Sequence, residues 1–252
     1  MSAPLTARLL PRGISAVAWP LTDQRRATLV LSCLLLIAGA ALWAASLRQV
    51  DVRAIDDIGL VSVLPAAFFV GLGALIGSFG LAFSVRPLPI WLLTSIVIAM
   101  ILVLYGTAPA VEAAPRFQAT YKHIGLVDYF LRNGQVDPNI DAYFNWPVLF
   151  IGTAFVLKAA GLSGMTNFAG WVPVFLNLLY LPPLYLFLRA ASRDQRVIWL
   201  GIWLFYLANW IGQDYFSPQG FNFFIYLVVL AIVLTWFKAC LLYTSDAADD
   251  LT

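Results

Sequence analysis

The chain has 252 residues, of which 62% are hydrophobic and only 11% are charged, and its mean hydropathy is +0.85. So few charged groups cannot cover the surface of a soluble domain of this length. The formal net charge of +2 indicates little about partners, and no nucleic-acid-binding patch is present. Long apolar runs alternate with short polar connections, as a bilayer requires, because each crossing helix needs about 20 mostly apolar residues. Composition therefore excludes a soluble domain and predicts an all-α, multi-pass transmembrane helical bundle.

Six apolar runs are predicted to span the membrane: Thr28–Leu47, Ile58–Val85, Ile90–Gly106, Trp171–Leu188, Val197–Ile211 and Phe221–Phe237. A further run, Pro147–Leu162, is shorter and contains Lys158, so we predict that it does not cross. The polar segments 107–146 and 212–220 then become connections on the same side of the membrane.

The distribution of basic residues predicts which side is cytoplasmic, because loops on that side carry an excess of Lys and Arg. With six spans and the amino terminus inside, nine basic residues lie on the cytoplasmic side: Arg8, Arg12, Arg25, Arg26, Arg86, Arg189, Arg193, Arg196 and Lys238. Six lie outside: Arg48, Arg53, Arg116, Lys122, Arg132 and Lys158. A crossing at 147–162 would reverse this bias. We therefore predict a multi-pass protein of the cell membrane with a cytoplasmic amino terminus.

The longer outer segment contains a predicted surface helix, Pro115–Asn133. Its apolar residues recur at three- and four-residue spacing and are predicted to share one face, whereas Gln118, Lys122 and Arg132 fall elsewhere. The apolar positions are Phe117, Tyr121, Ile124, Val127 and Leu131. Gly134 follows Asn133 and is a typical helix stop.

Two acidic residues in the outer segments are the candidate catalytic groups. Glu112, the only glutamate, follows the third span and lies four residues before Arg116, a spacing that allows a salt bridge on a helix. Asp214 lies in a connection, Asn209–Gln219, that is unusually polar and aromatic for a turn between two spans. The alternative for Glu112 is a solvated loop carboxylate, and the alternative for Asp214 is an interfacial aspartate. A carboxylate shielded at the bilayer rim can instead act as a base or hold a cation.

Several further residues are candidates for substrate binding. Lys122 and the only histidine, His123, could hold a lipid-linked phosphate together with Arg116, because cations near the headgroup layer attract anions. A lone histidine is a poor metal site, and such a residue is more often packed at the interface or solvated. Asp141 and Tyr143 begin a stretch that ends at Trp146-Pro147; an aromatic belt accounts for its Tyr and Trp but leaves Asp141 unexplained. Gln219 ends the shorter outer connection.

The carboxyl-terminal stretch, residues 240–252, resembles a translated sequencing adapter read in frame after an interrupted gene. The polar residues Thr244-Ser245-Asp246 appear soon after the apolar run that ends at Phe237. We therefore expect native sequence to stop near Ala239 and exclude the tail from fold reasoning. An ordinary acidic terminus is the alternative.

In layout, the chain resembles the GT-C superfamily of polyprenyl-phosphate-sugar-dependent glycosyltransferases. In that family a span leads into a large outer loop that opens with an acidic residue and continues into a juxtamembrane helix, as Glu112, Arg116 and the following helix do. The stretch Tyr143–Pro147 leads into the next apolar helix in a similar way, and Asp214 stands where a second acidic motif lies. The usual paired acidic motif of the first loop is not present.

The resemblance covers residues 107–237 and implies a division of the chain into residues 1–89, an amino-terminal segment with two extra spans, and residues 90–239, a partial GT-C-like core. It implies a lipid-linked sugar donor, with Glu112 as base or charge stabiliser and Asp214 holding a metal or the acceptor. Arg116, Lys122 and His123 would bind the donor phosphate. The cofactor is unknown, and a divalent metal is possible. We expect a membrane glycosyltransferase of the cell envelope, inactive as a fragment; the alternative is a non-catalytic transporter or polysaccharide-assembly subunit.

Overall fold

The protein is an all-α helical bundle, which confirms the predicted fold class. Our computed structural model describes residues 18–209 and 212–237, and within them it contains α-helices, short 3₁₀ turns and no β-strand. The helices are α1 (Ala18–Leu47), α2 (Ala66–Ser84), α3 (Ile90–Val111), α4 (Gln118–Asn133), α5 (Val148–Ala159), α6 (Thr166–Ala169), α7 (Val172–Ala191), α8 (Gln195–Ala208) and α9 (Pro218–Trp236). The tail at 240–252 lies outside the described residues.

Five of the described helices are long and apolar enough to cross a membrane: α1 from Asp23, α2, α3, α7 and α9. The sixth predicted span, Val197–Ile211, corresponds to α8, which has 14 residues and falls among the shorter apolar helices; residues 210–211 lie outside the described part. α5 has 12 residues, and its length agrees with the prediction that this run does not cross. The described part of the chain is thus a multi-pass membrane bundle of five long apolar helices with two shorter apolar helices, α5 and α8.

Proline and serine residues set several helix boundaries differently from the sequence prediction. The second span was predicted from Ile58, but α2 begins only after Pro65, whose extended backbone (φ −71°, ψ 158°) ends the preceding irregular segment. α3 was predicted to end at Gly106, but it continues through Pro109 to Val111. α9 begins at Pro218 because Ser217 caps it, its hydroxyl oxygen accepting from the Gly220 N–H at 3.2 Å.

α1 and α2 pack closely because small residues line their interface. The Ser32 hydroxyl donates to the Ser78 carbonyl, and the Ser78 hydroxyl donates to the Ser32 carbonyl, each at 2.8 Å. Further along the pair, a Cβ atom added to Gly39 would lie 2.9 Å from the Gly71 carbonyl oxygen, closer than side chains approach backbone. Glycine at this position therefore allows the two backbones to approach, as small residues do in transmembrane helix pairs.

α3 is the central helix of the bundle. It packs against α1, α2, α7 and α8, and its Leu92, Ile96 and Met100 side chains have no exposed surface. The other side of this core contains a stacked pair, Phe79 of α2 and Trp203 of α8, whose ring centroids are 4.0 Å apart. By contrast, α1 keeps most of its apolar side chains exposed, as expected of a helix that faces lipid.

The helix ends gather at two opposite ends of the bundle. At one end, the Arg196 guanidinium of α8 donates to the carbonyl oxygens of Phe83 (2.8 Å) and Val85 (3.2 Å) and so satisfies the last turn of α2. At the other end, the carboxyl terminus of α3 meets the amino terminus of α7 and the connection before α9. We call this second end the site end.

The surface helix predicted at Pro115–Asn133 is α4, which begins three residues later, at Gln118. Its predicted apolar face is only partly buried: Ile124 and Val127 are buried, whereas Phe117 and Tyr121 are 42% and 46% exposed. His123 and Leu126 are also buried, because α4 contacts α5 and the distant connection before α9.

Candidate functional site

Glu112 is positioned by the end of α3 and by Arg116. Its backbone N–H donates to the Ala108 carbonyl at 2.8 Å and closes the last turn of the helix. A negative charge is unfavourable at a helix carboxyl terminus. The Arg116 guanidinium opposes this effect, because both Nη2 and Nε donate to the Glu112 carboxylate, the latter at 3.3 Å. The pair is partly exposed and adds little stability, but it fixes the direction of the Glu112 side chain.

Asp214 is held by an asparagine from within the membrane bundle. The Asn177 Nδ2 atom of α7 donates to Asp214 Oδ2 at 2.6 Å and to the Pro173 carbonyl at 2.8 Å. Asn177 is completely buried, and its backbone carbonyl oxygen accepts a hydrogen bond from the Tyr206 hydroxyl at 2.7 Å. Burial raises the pKa of Asp214, and the Asn177 hydrogen bond opposes that rise.

The connection that carries Asp214 is packed firmly against α7 and α9. A Cβ atom added to Gly220 would lie 2.7 Å from Leu176 Cδ1 and 2.9 Å from the Gln213 carbonyl oxygen. The Tyr180 hydroxyl donates to the Gly220 carbonyl at 2.7 Å. The absence of a side chain at Gly220 therefore lets the connection fold over the start of α9, which places Asp214 at the site end.

Glu112 and Asp214 line one cavity of about 210 Å³. Its other polar walls come from Tyr105, Arg116 and Thr120, and Tyr215 lies at the edge. The remaining walls are mainly apolar: Leu104, Ala108, Pro109, Ala114, Pro115, Phe117, Ala169, Gly170 and Pro173. A shielded cavity with a few converging polar groups in mainly apolar walls is typical of a small-molecule site.

The Glu112–Arg116 pair also lines a second, more open cavity of about 630 Å³. The opposite wall of this cavity comes from the connection between α1 and α2, at Val52, Ile55 and Gly59. The ion pair therefore stands between an inner cavity that contains Asp214 and an outer one that faces this connection.

Lys122, Asp141 and Tyr143 form a separate cluster that does not line the 210 Å³ cavity. Lys122 Nζ lies 2.9 Å from Asp141 Oδ2 and 4.8 Å from the centroid of the Tyr143 ring. The Tyr143 N–H donates to Asp141 Oδ1 at 2.9 Å. The hydrogen bond from Lys122 lowers the pKa of Asp141. Asp141 thus has a structural explanation, since it caps the 3₁₀ turn Ala142–Asn145 and pairs with a cation.

His123 joins α4 to the connection before α9. It is 2% exposed, and its Nδ1 atom lies 2.7 Å from the Phe216 carbonyl oxygen. Because a carbonyl only accepts, Nδ1 carries the hydrogen. Its ring is nearly parallel to that of Tyr215, at 6.1 Å, and burial lowers its pKa. The three cations predicted to share a phosphate therefore have three different partners: Glu112 for Arg116, Asp141 for Lys122 and Phe216 for His123.

Three residues of the site were not found from the sequence: Tyr105 and Thr120, which line the cavity, and Asn177, which holds Asp214. Five predicted residues do not line the cavity: Lys122, His123, Asp141, Tyr143 and Gln219. Gln219 is exposed on the first turn of α9, away from the cavity walls. Asn177 had a sequence signal, since a lone amide in an apolar run is costly in a membrane and so suggests a role. Thr120 and Tyr105 had none, because only the tertiary fold brings them to Asp214.

The metal-binding capacity of the site is limited to its two carboxylates. Across residues 18–209 and 212–237 no group of three or more His, Cys, Asp or Glu side chains gathers as a metal site would require. Magnesium and calcium prefer six or more oxygen ligands. A divalent cation in this cavity would therefore take most of its ligands from a substrate or from water.

Comparisons of the chain with protein-family models, with curated proteins and with solved structures find no match. The fold and the site define a class, a multi-pass helical membrane protein with two acidic side chains in one cavity at the site end.

Proposed function

We propose that the protein is a membrane glycosyltransferase that moves a sugar from a polyprenyl-phosphate donor to an acceptor on the non-cytoplasmic face of the cell membrane. One observation carries the proposal: Glu112 and Asp214, 102 positions apart in the sequence, line the same cavity at one end of the bundle. Purely structural spans do not need two carboxylates in one cavity, and burial makes the charge of Asp214 costly.

The two carboxylates have different surroundings, which suits different roles. Burial raises the pKa of Asp214, and a more basic carboxylate accepts a stronger hydrogen bond from a hydroxyl group. Glu112 is paired with a guanidinium that fixes its direction. We propose that Glu112 accepts the acceptor's proton or stabilises positive charge at the sugar carbon, while Asp214 holds the acceptor hydroxyl.

Arg116 is the candidate for the donor phosphate, because it alone of the three predicted cations lines the cavity. Its side chain is 44% exposed, so the guanidinium is accessible from the open side. In the proposed reaction the acceptor oxygen bonds to the sugar carbon, the bond from that carbon to the phosphate oxygen breaks, and the polyprenyl phosphate leaves with the electron pair. Arg116 would stabilise the charge on the leaving phosphate.

The test is transfer of radiolabelled sugar from a polyprenyl-phosphate hexose in membrane vesicles that contain the full chain. Glu112→Gln and Asp214→Asn should each lower the rate by about 100-fold or more, the usual contribution of an acid–base group. Asp57→Asn, an exposed acid of the connection between α1 and α2, is the matched control and should keep the wild-type rate. Immunoblotting of the vesicles checks that insertion is equal.

Wild-type rates in both cavity variants would contradict the proposal. An intact protein that transfers no sugar but moves a solute across the vesicle membrane, with loss in the same variants, would favour the transporter alternative. Labelling of residues 112–117 only from the cytoplasmic side would contradict the proposed orientation.

A further inference from the structure

Thr120 has a buried hydroxyl group without a partner. The residue is 1% exposed and lines the cavity that contains Asp214 and Glu112, and its Oγ1 atom makes no hydrogen bond to any described residue. Buried polar groups are almost always hydrogen-bonded, so an exception in a residue that lines a cavity calls for an explanation, and a ligand atom that completes the bond is one.

Other threonines of the protein show what Thr120 lacks. The hydroxyls of Thr28, Thr94 and Thr153 each donate to the carbonyl oxygen four residues earlier, at 2.7–2.9 Å. This is the usual way in which a helix satisfies threonine. Thr120 lies in the first turn of α4, where the residue four positions earlier is Arg116, outside the helix. The local backbone therefore leaves this hydroxyl without a partner in a residue that lines the cavity.

The size and charge of the cavity restrict what the hydroxyl can meet. A volume of about 210 Å³ is below the usual range of roughly 300–1,000 Å³ for pockets that hold drug-sized ligands. A single sugar ring would fill it, and the rest of any longer chain would have to lie outside it. Two carboxylates and one guanidinium leave a net negative site, which favours an uncharged ring with hydroxyl donors over an acidic sugar. Phe117 and Tyr215, stacked with centroids 4.9 Å apart, supply an apolar edge.

We propose that Thr120 determines sugar specificity: its hydroxyl binds one hydroxyl of a single uncharged sugar ring that lies between Glu112 and Asp214. This inference rests on the proposed function and adds the contact that distinguishes one sugar from another. A threonine hydroxyl both donates and accepts, so it matches a sugar hydroxyl in either sense.

The test measures binding to the full chain in lipid nanodiscs, using farnesyl phosphates that carry glucose, mannose or galactose, and the monodeoxy analogues of the sugar that binds best. Thr120→Val keeps the side-chain shape and removes the hydroxyl, so the lipid-linked sugar should bind about fivefold to tenfold more weakly. Thr120→Ser keeps the hydroxyl and should bind close to the wild-type affinity. Farnesyl phosphate without a sugar should bind equally to all three proteins.

Two further readings make the test specific. One monodeoxy analogue should bind weakly to the wild type and no more weakly to Thr120→Val, because it lacks the hydroxyl that Thr120 contacts. Without ligand, Thr120→Val should unfold at the same temperature as the wild type or higher, since it removes an unpaired buried group. A lower unfolding temperature would show that the hydroxyl is bonded within the protein and would overturn the inference.

The two proposals fail in different ways. Equal affinity of Thr120→Val and wild type, with binding still lost in Asp214→Asn, would overturn the role of Thr120 and leave the proposed function standing. Absence of any binding of lipid-linked sugar to the wild type would contradict the proposed function itself, and the inference with it.

Discussion

Replacing Asp214 by asparagine should make the protein more stable while it removes the proposed activity. Burial raises the pKa of Asp214 above its value in the unfolded chain, which means that the folded state disfavours the charged form. An asparagine has no charge to desolvate, and its side-chain oxygen can still accept the hydrogen bond that Asn177 donates at 2.6 Å. The substitution therefore removes a cost and keeps the contact.

The size and pH dependence of this effect follow from proton linkage. At low pH the carboxyl is protonated in both the folded and the unfolded chain, so Asp214 makes no difference to stability. As pH rises above about 3.9, the unfolded chain loses this proton first and the wild type loses stability relative to the variant. At neutral pH we expect Asp214→Asn to be more stable by about 1–3 kcal/mol, the typical cost of a poorly satisfied buried polar group. That gain corresponds to a rise in unfolding midpoint of about 2–12 °C.

The assay is thermal unfolding in detergent, followed by tryptophan fluorescence, for the wild type and the variant between about pH 4 and pH 7. Asp57→Asn, which neutralises an exposed acid, is the control and should leave the midpoint unchanged at each pH. A lower midpoint for Asp214→Asn at neutral pH, or a difference that does not shrink on acidification, would refute the reasoning, because the buried charge would then be stabilising.

Three further predictions concern stability. Gly39→Ala should reduce the free energy of unfolding by about 1–3 kcal/mol and lower the unfolding midpoint, because overpacking is destabilising and the added methyl group would lie 2.9 Å from a carbonyl oxygen of α2. In the matched control Gly73→Ala the methyl group meets nothing within 4 Å, so the midpoint should not change. Arg196→Met leaves two carbonyl oxygens of the α2 terminus without their donor and should cost about 1–3 kcal/mol in chemical denaturation, whereas Arg193→Met, at an exposed position, should cost little. Burial lowers the pKa of His123, so on acidification the unfolded chain takes up this proton first and the wild type loses stability. His123→Phe removes this group and should therefore make the free energy of unfolding less dependent on pH below about pH 6.5. An unchanged pH profile would contradict this last prediction.

Apolar run length predicted the fold class well because the bilayer constrains composition directly. It predicted helix ends less well, since a turn at Pro65 or a cap at Ser217 shifts a boundary without changing hydropathy. Periodicity identified the apolar residues of α4 but not which of them are buried, because periodicity describes the helix alone. The buried face is determined by partners such as the Phe216 carbonyl, which lies 93 residues from His123.

Only the charged residues of the candidate site could be identified from the sequence. Glu112 and Asp214 stood out because acids are rare in this chain, but their common cavity depends on Gly220, whose missing side chain lets the connection fold back. Asn177 and Thr120 are uncharged and are separated along the chain. Asn177 matters because it donates a hydrogen bond to Asp214, and Thr120 matters because its buried hydroxyl has no hydrogen-bond partner.

The shortness of α8 has a consequence for the surrounding lipid. Its 14 residues span about 21 Å at 1.5 Å per residue, whereas a hydrocarbon core is about 30 Å thick. Val197, Leu200, Leu204 and Leu207 are exposed along this helix, so a crossing helix here would present them to the acyl chains. Local thinning of the bilayer is one response to a helix this short. Headgroups beside α8 would then lie closer to Asn209, whose side chain hydrogen-bonds to Tyr105 in the cavity wall, and the path of a lipid phosphate to Arg116 would be shorter.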